Sequence, residues 1–573
     1  MDNEYTYQAE LIQRHVELVP GYSVLRDALL PDLDVGADTL REVLGAAATF
    51  AEDRLVPINR AGDLQGCRLE AGRVLTPDGY KQAWKELTSA GWNSVDQPAE
   101  FGGMGLPSFL NAGCRELFDR ACMAIGMLSG PTRAGTLLLL QFADTALQEE
   151  WIPKFVSGEW SATICISEAD AGSDVGRMRT RAEPNAQNEW HVTGEKMWIS
   201  FGDNDLVERI GHLMLARTPD APPGSAGLSL FLVPNKVQDS TGAWVANGVT
   251  PRRIEEKLGL HGSPTCAMGF ENAKAFLLGK LHRGLPQMFL MIQSMRMMVA
   301  IEGVGMSFGA EQVALKYAAE RRQGGHPGQP PVLINKHTDI QRQLLSMAAR
   351  VETLRGVVYE LAVRIDLEKA GVVSDEVHSN VTQWLLPIAK ASCAEAAFEV
   401  PSASIQVLGG AGYTREWPCE QWMRDARMMS IAEGSTGIQA LDLLHRRLWR
   451  DEGKTLSDFI TTVSKELQSA APDVAAPAMR VLERLERAGR TLLSLRDRRE
   501  EAEAGAVGFL QLAMLAATSW IAVRLVSQAS DDRIAKRLAA AGRFWLSDIE
   551  ARAALQEHEA TAGAARLVEI QHI

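Results

Sequence analysis

Apolar residues recur at spacings of three and four along the first part of the chain. Residues 39–59 (TLREVLGAAATFAEDRLVPIN), 80–90 and 109–124 carry this period, and each predicts an amphipathic helix. The turn Pro77-Asp78-Gly79 stands immediately before the second of them. At Ser161 the period changes. From there to about residue 279, short apolar or alternating runs at 162–166, 190–192, 213–216, 228–233 and 267–270 are separated by stretches rich in Gly, Asn, Asp and Pro. This spacing predicts a small β-barrel or sandwich. After Pro286 the helical period returns over 287–322, 334–370, 374–401 and 436–450. A charged stretch at 450–457 leads into a further helical block, 458–565.

The 573 residues are too many for one hydrophobic core, since single cores stop growing at about 250–300 residues. The pattern therefore reads as an α+β multidomain chain. Its expected parts are an N-terminal helical domain (1–158), a middle β-barrel (159–283), a C-terminal four-helix bundle (284–452) and an additional C-terminal helical domain (453–573). A hydrophobic content of 46% is that of a folded protein, not a disordered one. The formal net charge of −13 repels a phosphate backbone, so no nucleic-acid partner is expected. The seven cysteines are odd in number, form no CxxC and sit mostly among apolar residues, which reads as buried thiols in a cytoplasmic protein. The eleven histidines show neither HxxH nor HExxH, and no metal site is expected. The acidic, polar N-terminus does not resemble a signal or transit peptide. The uncharged stretch 504–523 has the length of a membrane span, but its Gly, Gln, Thr and Ser content favours a helix buried among other helices.

Four motifs carry candidate chemistry. In ISEADAGSDVG (166–176), hydroxyls and turn amides are placed to bind the polar edge of a planar ligand, or simply to form an Asx-rich turn. In GEKMWIS (194–200), Trp198 and Ser200 fall on one face of a strand, where an indole packs against a flat ring or into a core. ERRQGG (320–325) ends a helix with Arg321, a pyrophosphate clamp or a solvated basic helix end. The run 405–439 (IQVLGGAGYTREWPCEQWMRDARMMSIAEGSTGIQ) brings glycines that permit close backbone approach, without the strand–turn–helix setting of a dinucleotide fingerprint. Within it, Glu433 follows a largely apolar segment. Partial desolvation there would raise a carboxyl toward a general-base value, whereas an exposed loop acid would do nothing.

Taken together, in this order and spacing over residues 39–450, these motifs resemble the acyl-CoA dehydrogenase family. The block after residue 455, with NRAGDLQGCRLEAGRVLTPDGYKQAW and EKLGLHGSPTCAMGF, resembles the longer bacterial subfamily that includes 3-methylmercaptopropionyl-CoA dehydrogenases. The resemblance implies an FAD enzyme that converts an acyl-CoA to the trans-2-enoyl-CoA and passes electrons to an electron-transferring flavoprotein. It also implies a homodimer, with no membrane span. It assigns Ile166, Ser167, Ser173, Trp198 and Ser200 to the flavin ring, with Ser173 also bordering substrate. It assigns Arg321, Gln323, Gln406, Gly409 and Gly410 to the pyrophosphate side across a subunit interface, and Ser435 to the adenosine diphosphate part. Glu433 aligns with the family's base. Some members carry the base on an earlier helix, immediately before an Arg. Here that position is Met295, before Arg296, and a methionine cannot act as a base.

The chain departs from the family pattern at several positions. Ala432 stands where a Tyr is usual, and Ala432, Gly434, Met295 and Arg296 are expected to border the substrate. Five methionines (288, 291, 295, 297 and 298) crowd the helix that usually borders the acyl chain. Core packing explains most of them, though flexible thioethers also suit bulky or irregular ligands, and a branched, cyclic, aromatic or thioether acyl group is expected. Competing readings are an oxygen-using acyl-CoA oxidase, a non-enzymatic flavin-carrying DNA-binding relative, and a scaffold that binds FAD without turnover. The acidic balance and the intact Glu433 stand against the second.

Overall fold

The computed structural model describes residues 4–528 and 530–573. Its contacts fall into two compact units, Thr49–Met298 and Met1–Ala48 with Val299–Ile573, and the boundary lies inside the long helix Gly284–Glu320.

The helix expected over 39–59 crosses the other boundary between these units, after Ala48: it begins at Ala37 and continues through a π-helical turn, Ala51–Leu55, into Val56–Gln65. The helix expected over 109–124 is much longer, Ser108–Phe142, with non-helical backbone at Cys122. The helix is buried over nearly all its length, residues 109–124 as fully as those that follow.

The β region forms a seven-stranded mixed sheet. Val249–Ile254 pairs with Thr265–Leu278, which pairs with Trp190–Ser200, then Arg181–Pro184, Arg209–Arg217 and Trp160–Cys165. Leu228–Pro234 pairs with both Thr265–Leu278 and Arg209–Arg217, closing the sheet on itself as the spacing of short runs predicts. Two strands escaped the pattern reading. Arg181–Pro184 is short and mostly exposed, and Val249–Ile254 is an edge strand carrying Pro251 and two arginines. Among the described residues all seven cysteines are free, six of them buried. Burial pushes the Cys114, Cys165 and Cys266 thiols up to about 12, so they stay protonated and inert.

The second unit is helical. Thr338–Lys369 and Glu376–Leu408 pack on each other and on the C-terminal helices Lys454–Leu467, Ala506–Val526 and Arg533–Leu546. An aromatic chain joins these parts: Trp384 lies 5.8 Å from Phe459 and 6.0 Å from Phe509, and Phe459 lies 6.3 Å from Trp520. The uncharged stretch forms Ala506–Val526, a core helix whose faces are taken up by neighbouring helices, as its composition predicts. Gly284–Glu320 is also long and apolar enough to cross a bilayer, with 67% of its most apolar window buried.

Candidate active site

The residues nominated by the sequence divide between the two units. The helical unit holds Glu433. A helix, Cys419–Ala426, tightens into the 3-10 turn Arg427–Ser430 and then breaks. Ser435 restarts the chain as N-cap of Thr436–Leu444, its hydroxyl accepting from the Ile438 amide. Between them Glu433 has φ +54° and Gly434 φ +89°. A left-handed backbone is unfavourable for a glutamate, and such residues persist only where the surroundings impose them, most often at functional sites. Glu433 is half-buried, Ile431 is 61% exposed, and Ala432 presents no side chain beyond Cβ. Gln439 Nε2 donates to the Glu433 and Gly434 carbonyls at 3.0 and 3.1 Å, tying the base of the turn to the helix that follows.

Gly434 is the position where glycine is required. A Cβ there would sit 2.9 Å from Gln439 Nε2 on a left-handed backbone. Gly434→Ala is expected to lower stability by about 1–3 kcal/mol, measured by urea unfolding. A change within error would show that the turn relaxes freely.

The same unit carries the residues assigned to a pyrophosphate. Arg321 and Gln323 are exposed just beyond the long helix. Gln406, Gly409 and Gly410 are exposed at the end of Glu376–Leu408, and nothing lies within 4 Å of where either glycine's Cβ would be. Gly412 differs, because a Cβ there would meet the Ile405 carbonyl at 2.6 Å, so it serves packing. The two helix ends are brought near each other: Tyr317, one turn before Arg321, meets Trp417 edge-on at 5.2 Å. Ser404 Oγ also donates to the Ala310 carbonyl at 2.8 Å.

In the sheet-containing unit, Ile166 and Ser167 leave the strand Trp160–Cys165 on a tethered loop. Lys196 Nζ, fully buried, donates to the Ile166 carbonyl (3.1 Å) and the Glu168 carboxylate (2.8 Å), and the Met197 amide donates to the Ser167 carbonyl at 3.0 Å. Burial raises the Glu168 carboxyl, but Lys196 and the Thr180 and Arg179 amides outweigh it and hold it below the ordinary value. The Asx-turn reading of this motif is realised at Asp174, which accepts from the Gly176 amide, while Ser173 stays exposed. Trp198 sits where the pairing of Trp190–Ser200 with Thr265–Leu278 slips by one residue. Its φ is +64° and it is 57% exposed. Simple strand alternation therefore does not describe this motif: a bulge, not the pleat alone, turns the indole outward, with Ser200 half-buried two residues on.

Met295 and Arg296 are both buried. Met288, Met291, Met295 and Met298 belong to one core cluster with Trp151, Trp160 and Leu213. A Cβ at Gly130 would run into the Met298 thioether, with Met295 just beyond. These four methionines help fill that cluster, while Ala432 stands beside Glu433 with no side chain beyond Cβ. The sequence reading missed Lys196, Glu168, Lys390 and Gln439. The one available signal was a lysine standing alone in an apolar run, in LLPIAKASCA.

Comparison with known proteins gives a consistent result. The family descriptions "Acyl-CoA dehydrogenase, N-terminal domain", "middle domain" and "C-terminal domain" match residues 37–159, 163–273 and 282–448. The chain is 36% identical to a 3-methylmercaptopropionyl-CoA dehydrogenase of Ruegeria pomeroyi, with 86% of each chain covered. It is 34% identical to a broad-specificity linear acyl-CoA dehydrogenase of Mycobacterium tuberculosis, over 76% of this chain and 74% of the other. Among solved structures, it matches an acyl-CoA dehydrogenase of Bacillus anthracis complexed with FAD at a TM-score of 0.71 and 19% identity, covering 96% of this chain and 88% of that one.

Proposed function

The chain belongs to the acyl-CoA dehydrogenase family, and on that footing we propose that Glu433 is the base that removes the α proton of its acyl-CoA substrate. The observation that carries this reading is the carboxylate held on a strained, left-handed residue between an exposed approach at Ile431 and a clamped turn.

FAD is the cofactor of this family, and the residues present fit it: an outward-facing indole at Trp198, a free-standing guanidinium at Arg321, and open glycine backbone at Gly409 and Gly410. Bound FAD supplies the acceptor for the hydrogen that leaves the β carbon as hydride. The chain's own groups do the rest. A thioester carbonyl makes the α C–H weakly acidic, and in this reading the Glu433 amide donates to that carbonyl as negative charge grows on it. Glu433 accepts the proton. Ile166, Ser167, Ser173, Trp198 and Ser200 hold the ring region. Arg321 and Gln323, with Gln406, Gly409 and Gly410 from a second copy, hold the pyrophosphate, and Ser435 borders the adenosine diphosphate part. Arg296 acts on the site through its charge.

Electron-transferring flavoprotein is the proposed acceptor, in the cytoplasm, with the chain as a homodimer. The proposed acyl group is a non-standard one, a thioether foremost. Ala432, which removes a side chain beside the base, and the identity to a 3-methylmercaptopropionyl-CoA enzyme support this choice.

The test is anaerobic titration of the purified holoenzyme with a panel of acyl-CoAs, followed by flavin bleaching. Bleaching by 3-methylmercaptopropionyl-CoA at least about tenfold faster than by butyryl-CoA is expected, a difference of about 1.4 kcal/mol in the barrier. Strong preference for straight saturated chains overturns the acyl assignment, and no bleaching by any member overturns the reaction. Peroxide formed at the turnover rate in air would make the enzyme an oxidase.

A further inference from the structure

Lys390 lies midway along Glu376–Leu408, in an apolar run, and is fully buried. Its Nζ donates to three backbone carbonyls, those of Met429 (2.8 Å), Ala432 (2.7 Å) and Gly434 (2.7 Å). An ammonium has three N–H donors, matching these acceptors in number. Two of the three carbonyls belong to the residues immediately before and after Glu433. The Glu433 carbonyl itself is held by Gln439.

The consequence follows from peptide geometry. The chain contains no cis peptide bonds among the described residues, and in a planar trans peptide the C=O and the following N–H point in opposite directions. With the Ala432 carbonyl drawn onto Lys390, the Glu433 amide N–H is aimed directly away from it. The clamps on Gly434 fix the other side of the same residue. Its left-handed φ and that of the glycine after it are thereby held against relaxation. We infer that Lys390 is a positioning residue for the base: through the Ala432 and Gly434 carbonyls it aims both the Glu433 carboxylate and the Glu433 amide, without itself touching substrate. This inference rests on the assignment of Glu433 above.

Lys390→Met keeps an unbranched apolar stem, one atom shorter, and removes the donors. Stopped-flow reduction of the anaerobic holoenzyme separates limiting rate from apparent Kd, using the fastest acyl-CoA of the panel and beginning with 3-methylmercaptopropionyl-CoA. The limiting rate is expected to fall about 10²-fold, the scale on which small misplacements act. FAD content is expected to stay at parental level, and Kd to change by less than about threefold. Gln439→Leu removes the lighter clamp and is expected to lose about tenfold in the same parameter. It decides the matter on the same criteria if Lys390→Met does not yield folded flavoprotein.

Two results overturn the inference: a limiting rate within about threefold of the parent, or a loss shared in proportion by FAD content and Kd, which marks general loosening and not aim. Glu433→Gln is run alongside. If it reduces flavin normally, the base assignment falls and this inference with it. If it is dead while both clamp variants react normally, only the role of Lys390 falls.

Discussion

Glu433→Gln is expected to fold, bind FAD and lose reduction of the flavin by acyl-CoA, with the limiting rate falling roughly 10²–10⁴-fold, the usual worth of a positioned general base. The substitution is a demanding probe because it changes so little else. Lys390 and Gln439 hold the Ala432, Glu433 and Gly434 carbonyls, so the amide variant is expected to keep the same left-handed loop and the same Glu433 N–H. The carboxylate's negative charge and its capacity to accept a proton are removed. Met295 offers no substitute: it is buried in the core cluster and has no titratable group. Parental bleaching in this variant would remove Glu433 from the chemistry. Loss of FAD instead of rate would make it a cofactor ligand.

The second large effect is on stability. Arg537→Met is expected to cost about 3–5 kcal/mol, the penalty for stranding buried charges by deleting one partner. Arg537, on Arg533–Leu546, donates to Glu311 at 2.7 Å and to Glu352 at 2.7 and 2.9 Å. Both acids are fully buried, and Glu352 also bonds His15 at 2.9 Å and Arg355 at 2.6 Å. Burial alone raises the Glu352 carboxyl, but Arg355, Arg537 and His15 outweigh it and hold it well below the ordinary carboxylate value.

The sign for pH follows. A carboxyl depressed in the folded state contributes stability that is complete above its unfolded value and is lost as pH falls toward the folded one. The parent is therefore expected to lose stability on acidification below the ordinary carboxylate range. Without Arg537, Glu352 is held down less firmly, so the variant's deficit should be largest near neutrality and narrow as pH falls. Urea unfolding at neutral pH and at steps down through the carboxylate range checks both points. Equal stability at neutral pH, or a deficit that widens in acid, contradicts them.

Of these two residues only Glu433 could be nominated in advance, because the stretch from the glycine cluster to the Thr436 helix, together with the other motifs, resembles the acyl-CoA dehydrogenase family; Arg537 lies outside every motif. The closed sheet was legible for a different reason: a strand against a core alternates or runs apolar over a few consecutive residues, as Leu228–Pro234 does. Other segments were missed. The latter part of Ser108–Phe142 was not read as helix, and the short, largely exposed strands Arg181–Pro184 and Val249–Ile254 offer little apolar face to detect.

By itself, then, the sequence determined the succession of helices, closed sheet and helices and the burial of Ala506–Val526, because each is encoded in residues near one another along the chain. Tertiary structure alone decided that Trp198 stands out on a bulge, that Met288, Met291, Met295 and Met298 share one buried cluster with Trp151, Trp160 and Leu213, and that Lys390 meets the carbonyl of Ala432, 42 positions away. Those outcomes depend on contacts between distant segments. A lysine in an apolar run becomes a clamp only when folding places three carbonyls within reach of its ammonium, and no local pattern records where those carbonyls will be.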